Sequence, residues 1–544
     1  MTGPICSIPL PEWWDPARVF LALHGTSRHA FWLDAGAQAE SGVSYLGAAS
    51  ERSRFVTASV PDGTVTVTVP GDPSVPPITT PETIFEFLRE DLAVAAAHEE
   101  TDAAGPDTGA DPGGFRLGWI GWLGYELGAQ TVGTPVHDSR YPDAALLEVD
   151  RAIAFDHSAR TVTLLARVVP GDTDAGDADP GDTDDGNTED GNTEAGIQAW
   201  ARGVRDALRA SPEPTSLPEP TSPPESTGAP ESTGAPAQPA PAPLPSALQA
   251  SAPPGPGAVH WRHDAEHYAE LIRRCQAAIR EGDAYQLCLT NEIRVDVRPD
   301  PVDAYLALRA GSPSHHGGLL RFGDTALLSA SPEQFLEVTQ GGAITTKPIK
   351  GTSRRSTHPE RDRELRAELE ASEKERAENL MIVDLMRNDL GRIARLGSVS
   401  VSRLLAVESY AHVHQLVSTV EAQLAAGLTG VDAVASCFPA GSMTGAPKVS
   451  AMTILDGLED GPRGIYAGAF GYLGLDGAVD LAMVIRSIVL DPDGASIGTG
   501  GGITALSDPA AEIEETRIKA AALLAALGVG ENRAARAPGP GLVT

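Results

Sequence analysis

Apolar and polar residues alternate in short runs over the first 170 positions. Ala30-Phe31-Trp32-Leu33-Asp34, Gly63-Thr64-Val65-Thr66-Val67-Thr68-Val69, Ala152-Ile153-Ala154-Phe155 and Thr161-Val162-Thr163-Leu164-Leu165 are rich in β-branched residues and are separated by Gly, Asp and Pro. That pattern predicts strands. A helical patch from Thr83 to His98 lies among them, so the mixture reads as α+β rather than as a repeating βαβ unit. From His260 the pattern predicts a helix over Asp264 to Glu281, then strands, a long helix from about Glu360 to Asp389, and a final helix near Ala510 to Leu527.

Composition divides the chain further. An N-terminal domain (1–170) precedes an acidic insert (171–196), a helix belonging to that domain (197–210) and a Pro-rich linker (211–256). A second domain (257–528) and a tail (529–544) follow. The insert and the linker lack the apolar surface needed to fold and are expected to be disordered, as is the tail. They also hold much of the formal net charge of −33: ten Asp or Glu lie between Gly171 and Glu194 and four Glu between Ser211 and Pro256, with no Lys or Arg in either stretch. A chain this acidic argues against nucleic acid and anionic membrane as partners.

Four scattered cysteines, Cys6, Cys275, Cys288 and Cys437, form no Cys-x-x-Cys pair and no disulfide framework. With no leader-like N-terminus and no apolar run of membrane-spanning length, the expectation is a soluble protein of the reducing cytoplasm.

The candidate chemistry lies in the second half. Glu375 and Glu378 on the long helix, and Glu512 and Glu515 on the final one, are each spaced i, i+3 and so share a helical face. Two such pairs could converge on Mg²⁺, which takes one or two carboxylates, several waters and oxygens of an anionic substrate. The same spacing also suits solvated faces, with Glu515 and Lys519 as an i, i+4 pair. Lys350 stands between the strand-like Ala343-Ile344-Thr345-Thr346 and Gly351-Thr352, where a turn could present its amine. Such an amine becomes a nucleophile if burial or neighbouring cations lower its pKa; otherwise it is a surface lysine. Gly498-Thr499-Gly500-Gly501-Gly502 offers either an anion-binding row of N–H groups or a plain turn. Arg486, a charge in an apolar strand, suits a substrate carboxylate or a structural ion pair.

Several ordered motifs resemble those of the chorismate-utilising enzymes. They are Gly282-Asp283-Ala284-Tyr285-Gln286-Leu287, Ser331-Pro332-Glu333, Pro348-Ile349-Lys350-Gly351-Thr352, Glu378-Asn379-Leu380-Met381-Ile382-Val383-Asp384-Leu385, Arg387-Asn388-Asp389-Leu390-Gly391, Gly445-Ala446-Pro447-Lys448 and Glu514-Glu515-Thr516. Weaker similarity covers Phe31-Trp32-Leu33-Asp34, Ser44-Tyr45-Leu46-Gly47 and Gly121-Trp122-Leu123-Gly124-Tyr125-Glu126. The resemblance implies an α+β fold like that of anthranilate synthase component I, with two large, mostly antiparallel sheets packed together and helices outside.

Within that family the resemblance points to the aminodeoxychorismate synthase component I branch, because Lys350 stands where anthranilate synthases carry Ala, and Gln286 where enzymes using water carry Lys. It implies Mg²⁺ held by Glu378 and Glu515 with Glu375 and Glu512 in support. Lys350 is then the covalent nucleophile and Glu333 the general acid. Arg486, Tyr466, Gly500, Gly501, Gly502, Thr352, Lys519 and Gln286 form the substrate-binding set. Ammonia is expected from a separate glutamine amidotransferase subunit, since the Gly-x-Cys-x-Gly loop of such a domain is missing here. Relatives also suggest a tryptophan in the N-terminal domain. One departure is Gln415 in place of a histidine, with His414 one residue away and facing the opposite side of any strand. Amination at C2, and a non-catalytic scaffold paralogue, are the competing readings.

Overall fold

The computed structural model describes residues 3–102, 114–135, 137–168, 192–210, 257–410 and 413–529. The linker, most of the acidic insert and nearly all of the tail lie outside the described residues. Two antiparallel sheets of twelve strands each dominate the rest.

Both sheets draw strands from both halves of the chain. In the first, His29–Asp34 pairs with His316–Phe322, from Asp34 opposite Gly317 to His29 opposite Phe322. In the second, Gly118–Leu123 pairs with Ala469–Gly474 along its whole length. The alternation seen in the sequence then sorts side chains between layers. Phe31, Tyr45, Ile120, Trp122, Leu320 and Phe470 fill the space between the sheets. Their neighbours Trp32 and Trp119 face outward. Trp32 packs with Phe20, Val204 and Tyr305 under one set of helices, and Trp119 with Ile84, Leu88 and Met386 under the other.

Most predicted elements form, with boundaries set by local chemistry. Asp264 caps the helix Ala265–Glu281 by accepting the His267 N–H, and Asp508 caps Pro509–Ala526 by accepting that of Ala511. The long helix expected from about Glu360 to Asp389 is instead two, Pro359–Ala371 and Glu373–Gly391. Ser372 separates them because it leaves helical geometry, at φ −63° and ψ 110°, to cap the second helix with its hydroxyl on the Glu375 N–H. Helical periodicity does not reveal a cap that a serine can supply.

The segment around Lys350 also departs from expectation. Ala343–Thr346 and Ile349–Arg354 lie end to end along the strand Val413–Gln423, interrupted at Lys347-Pro348, where proline has no N–H to give. Lys350 is therefore inside a strand, not at a turn. It sits on a bulge: Ile349 opposes Val417 but Thr352 opposes Gln415, so this strand carries one extra residue, with Gly351 at φ +85°.

No helix among the described residues is long and apolar enough to cross a membrane, and all four cysteines are free. Because strands from the N-terminal part form one end of each sheet, a chain beginning at residue 257 would leave His316–Phe322 and Ala469–Gly474 as open apolar edges. It is expected to aggregate or to lose near-ultraviolet circular dichroism; cooperative unfolding of that fragment would contradict the shared-sheet architecture.

Candidate active site

The bulge turns Lys350 toward the segment 441–446, where its Nζ lies 3.5 Å from the Ser442 carbonyl oxygen. The Ser442 hydroxyl bonds Glu333, which is buried after the strand Thr325–Ser331. Glu378 approaches from the helix Glu373–Gly391. Its neighbour Asn379 fixes that approach by donating to the carbonyls of Pro348 (3.3 Å) and Leu416 (3.4 Å) while accepting from Ser418 Oγ (2.5 Å). One buried amide thus ties the helix to the strand that carries Lys350.

Burial opposes the charge on Lys350, yet the amine is held above its ordinary value, with Cys288, Glu378, Glu333 and Glu375 opposing that effect. The Cys288 thiol is itself pushed up by burial and is neutral near pH 7, so the carboxylates are what retain the proton. Neither alternative read from the sequence, a lowered amine or a surface lysine, describes it. Burial in turn raises Glu333 against the pull of Lys350, and raises Glu378 to about 7 against Lys350 but with help from Glu375. The cluster is an amine and acids competing for few protons.

The two glutamate pairs converge. Lys374 bridges them, 3.3 Å from Glu512 and 3.9 Å from Glu378. Lys519 pairs with Glu515 at 2.7 Å and draws it below the carboxylate range, outweighing burial. Glu375 is raised by burial, only partly offset by Lys374. Against these carboxylates runs the glycine strand. A Cβ on Gly501 would stand 3.1 Å from Glu512 Oε2, one on Gly502 3.5 Å from Glu378 Oε2 and 2.2 Å from Gln286 Nε2, and one on Gly351 3.0 Å from Glu375 Oε2.

Glycine here makes room and also leaves N–H groups open. Residues 498–502 lie inside the strand Gly494–Ile503, paired on one side with Gln286–Val295. Thr290 gives its N–H to Glu459 and Cys288 gives its own to the Thr444 carbonyl, while the Gly500 carbonyl takes Lys519 Nζ at 2.7 Å. Thr290–Gly500 and Cys288–Gly502 are therefore non-hydrogen-bonded pairs, and alternation turns the N–H groups of Gly498, Gly500 and Gly502 to the other side. There the pairing with Ser487–Asp491 reaches only from Gly494 to Ser496. The N–H groups beyond it have no strand partner.

Arg486 lies just before Ser487–Asp491 at φ +52°, partly buried, its charge disfavoured by that burial. Among the described residues it has no carboxylate within ion-pair distance, so the structural-pair alternative is not found. Tyr466 packs its ring against Gly498 and is pushed up by burial. Gln286 is buried with Oε1 unpartnered. Thr352 is exposed and opposite Gln415, and the described contacts do not tie it to the cluster. His414 faces away, as its position implied: it bonds Ser409 at 2.8 Å and Asp362 at 3.1 Å.

For a divalent metal, among the described residues no group of three or more His, Cys, Asp or Glu surrounds one point. The donor set still fits Mg²⁺, which needs only one or two carboxylates beside water and substrate oxygens. Glu378 Oε1 in particular is buried without a hydrogen-bond partner.

Sequence reasoning missed Ser442, Asn379 and Lys374. The i, i+4 spacing of Lys374 to Glu378 was the available signal for the last; the other two act through carbonyls and hydroxyls that spacing does not expose. It also gave no role to Asp389 and Lys448, buried residues of two separate motifs that form an ion pair at 2.6 Å.

Residues 72–525 match the model of a family described as chorismate binding enzymes. The chain is 42% identical over 518 residues to an aminodeoxychorismate synthase of Streptomyces griseus, covering 95% of this chain but 63% of that one. It is 34% identical over 448 residues to anthranilate synthase component 1 of Streptomyces coelicolor, covering 81% and 76%. Anthranilate synthase component I from Streptococcus pneumoniae TIGR4 superimposes with a TM-score of 0.65 at 24% identity, over 95% of this chain and 98% of that one. The expected α+β architecture of two large antiparallel sheets is thereby met.

A Cβ at Gly498 would stand 1.9 Å from the Tyr466 ring. Gly498→Ala should displace that ring and cost about 1–3 kcal/mol, as overpacking does, read as a lower urea midpoint; an unchanged midpoint would show that the ring moves freely.

Proposed function

Because the chain belongs to the family of chorismate-binding enzymes, we propose that it aminates chorismate at C4 to give 4-amino-4-deoxychorismate, as an aminodeoxychorismate synthase component I does. The observation that carries this reading is Lys350, aimed by its bulge into the space it shares with Glu333, Ser442 and Glu378.

The open N–H groups at Gly500 and Gly502, with Arg486 and Tyr466, receive the substrate carboxylates, and Gly501 leaves room for the glutamates behind. Bound Mg²⁺, held by Glu378 and Glu515 with Glu375 and Glu512 beside them, would neutralise a substrate carboxylate and offset the acids that keep Lys350 protonated. Lys350 then passes its proton to Glu333, which leaves both groups in the state each needs. The amine adds at C2, both ring double bonds shift along the ring toward C4, and the C4 oxygen takes the Glu333 proton and departs as water. Ammonia adds at C4, both double bonds shift back, and Lys350 leaves with its electron pair. The proton lost by nitrogen returns to the Lys350–Glu333 pair. Gln415 contributes at most a neutral hydrogen bond to this sequence, and Gln286, beside Gly502, lines the approach.

Ammonia would come from a glutamine amidotransferase. The product would serve para-aminobenzoate for folate or a specialised aromatic amine, and a reducing cytoplasm suits the four free cysteines. A bound tryptophan in the N-terminal part draws no support.

Chorismate, Mg²⁺ and ammonium should yield 4-amino-4-deoxychorismate; fluorescent anthranilate, or pyruvate released without an added lyase, would overturn the assignment. Glu333→Gln should lower kcat roughly 10²–10⁴-fold, the usual weight of a general acid, with a smaller change in chorismate KM. Intact-mass analysis of quenched enzyme should detect a chorismate-derived adduct that Lys350→Ala lacks, and equal adduct in both would refute the covalent step. Chelation by EDTA should abolish turnover, and added Mg²⁺ should raise the Tm of the wild type but not of Glu378→Gln.

A further inference from the structure

The reaction above leaves Gly124-Tyr125-Glu126 unused. Glu126 lies in the short turn Tyr125–Leu127 after the strand Gly118–Leu123 and is 3% exposed. Its Oε1 accepts the Arg463 N–H at 2.8 Å and the backbone N–H groups of Gly464 and Glu126 also favour the carboxylate, while Oε2 is buried with no partner at hydrogen-bond distance. A buried carboxylate oxygen without a donor is costly. It lines a small cavity with Tyr125, His137, Asp456, Glu459 and Arg463, whose volume of about 20 Å³ suits a guest the size of a water molecule.

The charges around that cavity select the guest. Arg463 is committed to Glu459, with two contacts of 2.7 Å, and stacks over Tyr125. His137 stands 3.4 Å from Asp456 at the more open edge. Three carboxylates thus face one guanidinium already in use, a field that favours a cation. Arg463 forms the inner wall, between this cavity and the reaction centre. Arg463 donates to the Cys288 carbonyl at 2.9 Å and to that of Met443 at 2.6 Å, next to Ser442, whose carbonyl meets Lys350. Arg463 also lines a neighbouring internal cavity together with Tyr466 and Gly498.

We propose that this cavity receives ammonium and that Glu126 takes its proton, releasing ammonia toward Lys350. An N–H bond of ammonium breaks, an O–H bond forms on Oε2, and the electron pair stays on nitrogen. The proton then returns to solvent at the His137 edge. Burial pushes the Glu126 carboxyl up to about 7, so it can both accept and release a proton near neutrality. The inference rests on the amination reading and adds the entry site of its nitrogen.

The test titrates ammonium chloride at constant ionic strength against the full chain with saturating chorismate and Mg²⁺. Glu126→Gln should raise the KM for ammonium roughly 10- to 100-fold, the weight of a lost charge-assisted hydrogen bond, with the KM for chorismate changed less than about twofold and Glu126→Asp intermediate. His137→Trp, a bulky change at the half-exposed mouth, should raise the ammonium KM too, and it decides the matter if Glu126→Gln does not fold. An unchanged ammonium KM in the variants that fold, or an equal rise in the chorismate KM, overturns the proposal and leaves Glu126 a structural carboxylate. A wild-type chain that aminated chorismate at C2 would instead refute the C4 assignment and leave this site standing.

Discussion

A lysine amine confined with carboxylates in a partly dry space is the constraint on which the rest of the site depends. Desolvation penalises Lys350 and Glu333 alike when charged, and each lessens the penalty on the other. The pair is useful because the two groups are complementary: moving one proton from Lys350 to Glu333 yields a nucleophile and an acid together. Glu378, raised to about 7 beside Glu375, extends the same economy of charge to the glutamate pairs, where Lys374 and Lys519 supply only part of the compensation. A site so arranged has unmet demand for cations and for anion-carrying ligands.

Holding that balance requires backbone placed to within a side chain's reach, and the sheets supply it. Lys350 points inward because one extra residue is inserted opposite Val417 and Gln415, at the one position where Gly351 can take φ +85°. The open N–H groups of Gly500 and Gly502 exist because Ser487–Asp491 pairs with their strand only as far as Ser496. Arg486, at positive φ just where that strand begins, belongs to the same irregularity. Regular pairing would have consumed these groups; its local failure makes them available.

The buried ion pairs act at one remove. Arg463 with Glu459 joins the strand Gln286–Val295 to the segment 441–446 through the Cys288 and Met443 carbonyls and the Thr290 N–H. Lys448 with Asp389 joins the helix Glu373–Gly391 to the segment that follows. Motifs far apart in the chain are thus clamped around Ser442, the residue that touches both Lys350 and Glu333.

Local periodicity was enough to identify the α+β class, several N-terminal strands, the helices near 264–281 and 510–527, and the paired glutamates as candidates, since alternation and i, i+3 spacing are properties of neighbouring residues. The motif set was enough to single out Lys350 and Glu333, and a charge within an apolar run was enough to single out Arg486. Only the tertiary structure decided that Lys350 is in a strand and keeps its proton, that Ser372 splits the long helix, that Lys374 links both glutamate pairs, and that Glu126 is left with an unpartnered oxygen. Those outcomes turn on which distant groups share a desolvated space and which hydrogen bonds are already taken. Such facts belong to the folded arrangement and not to any stretch of chain.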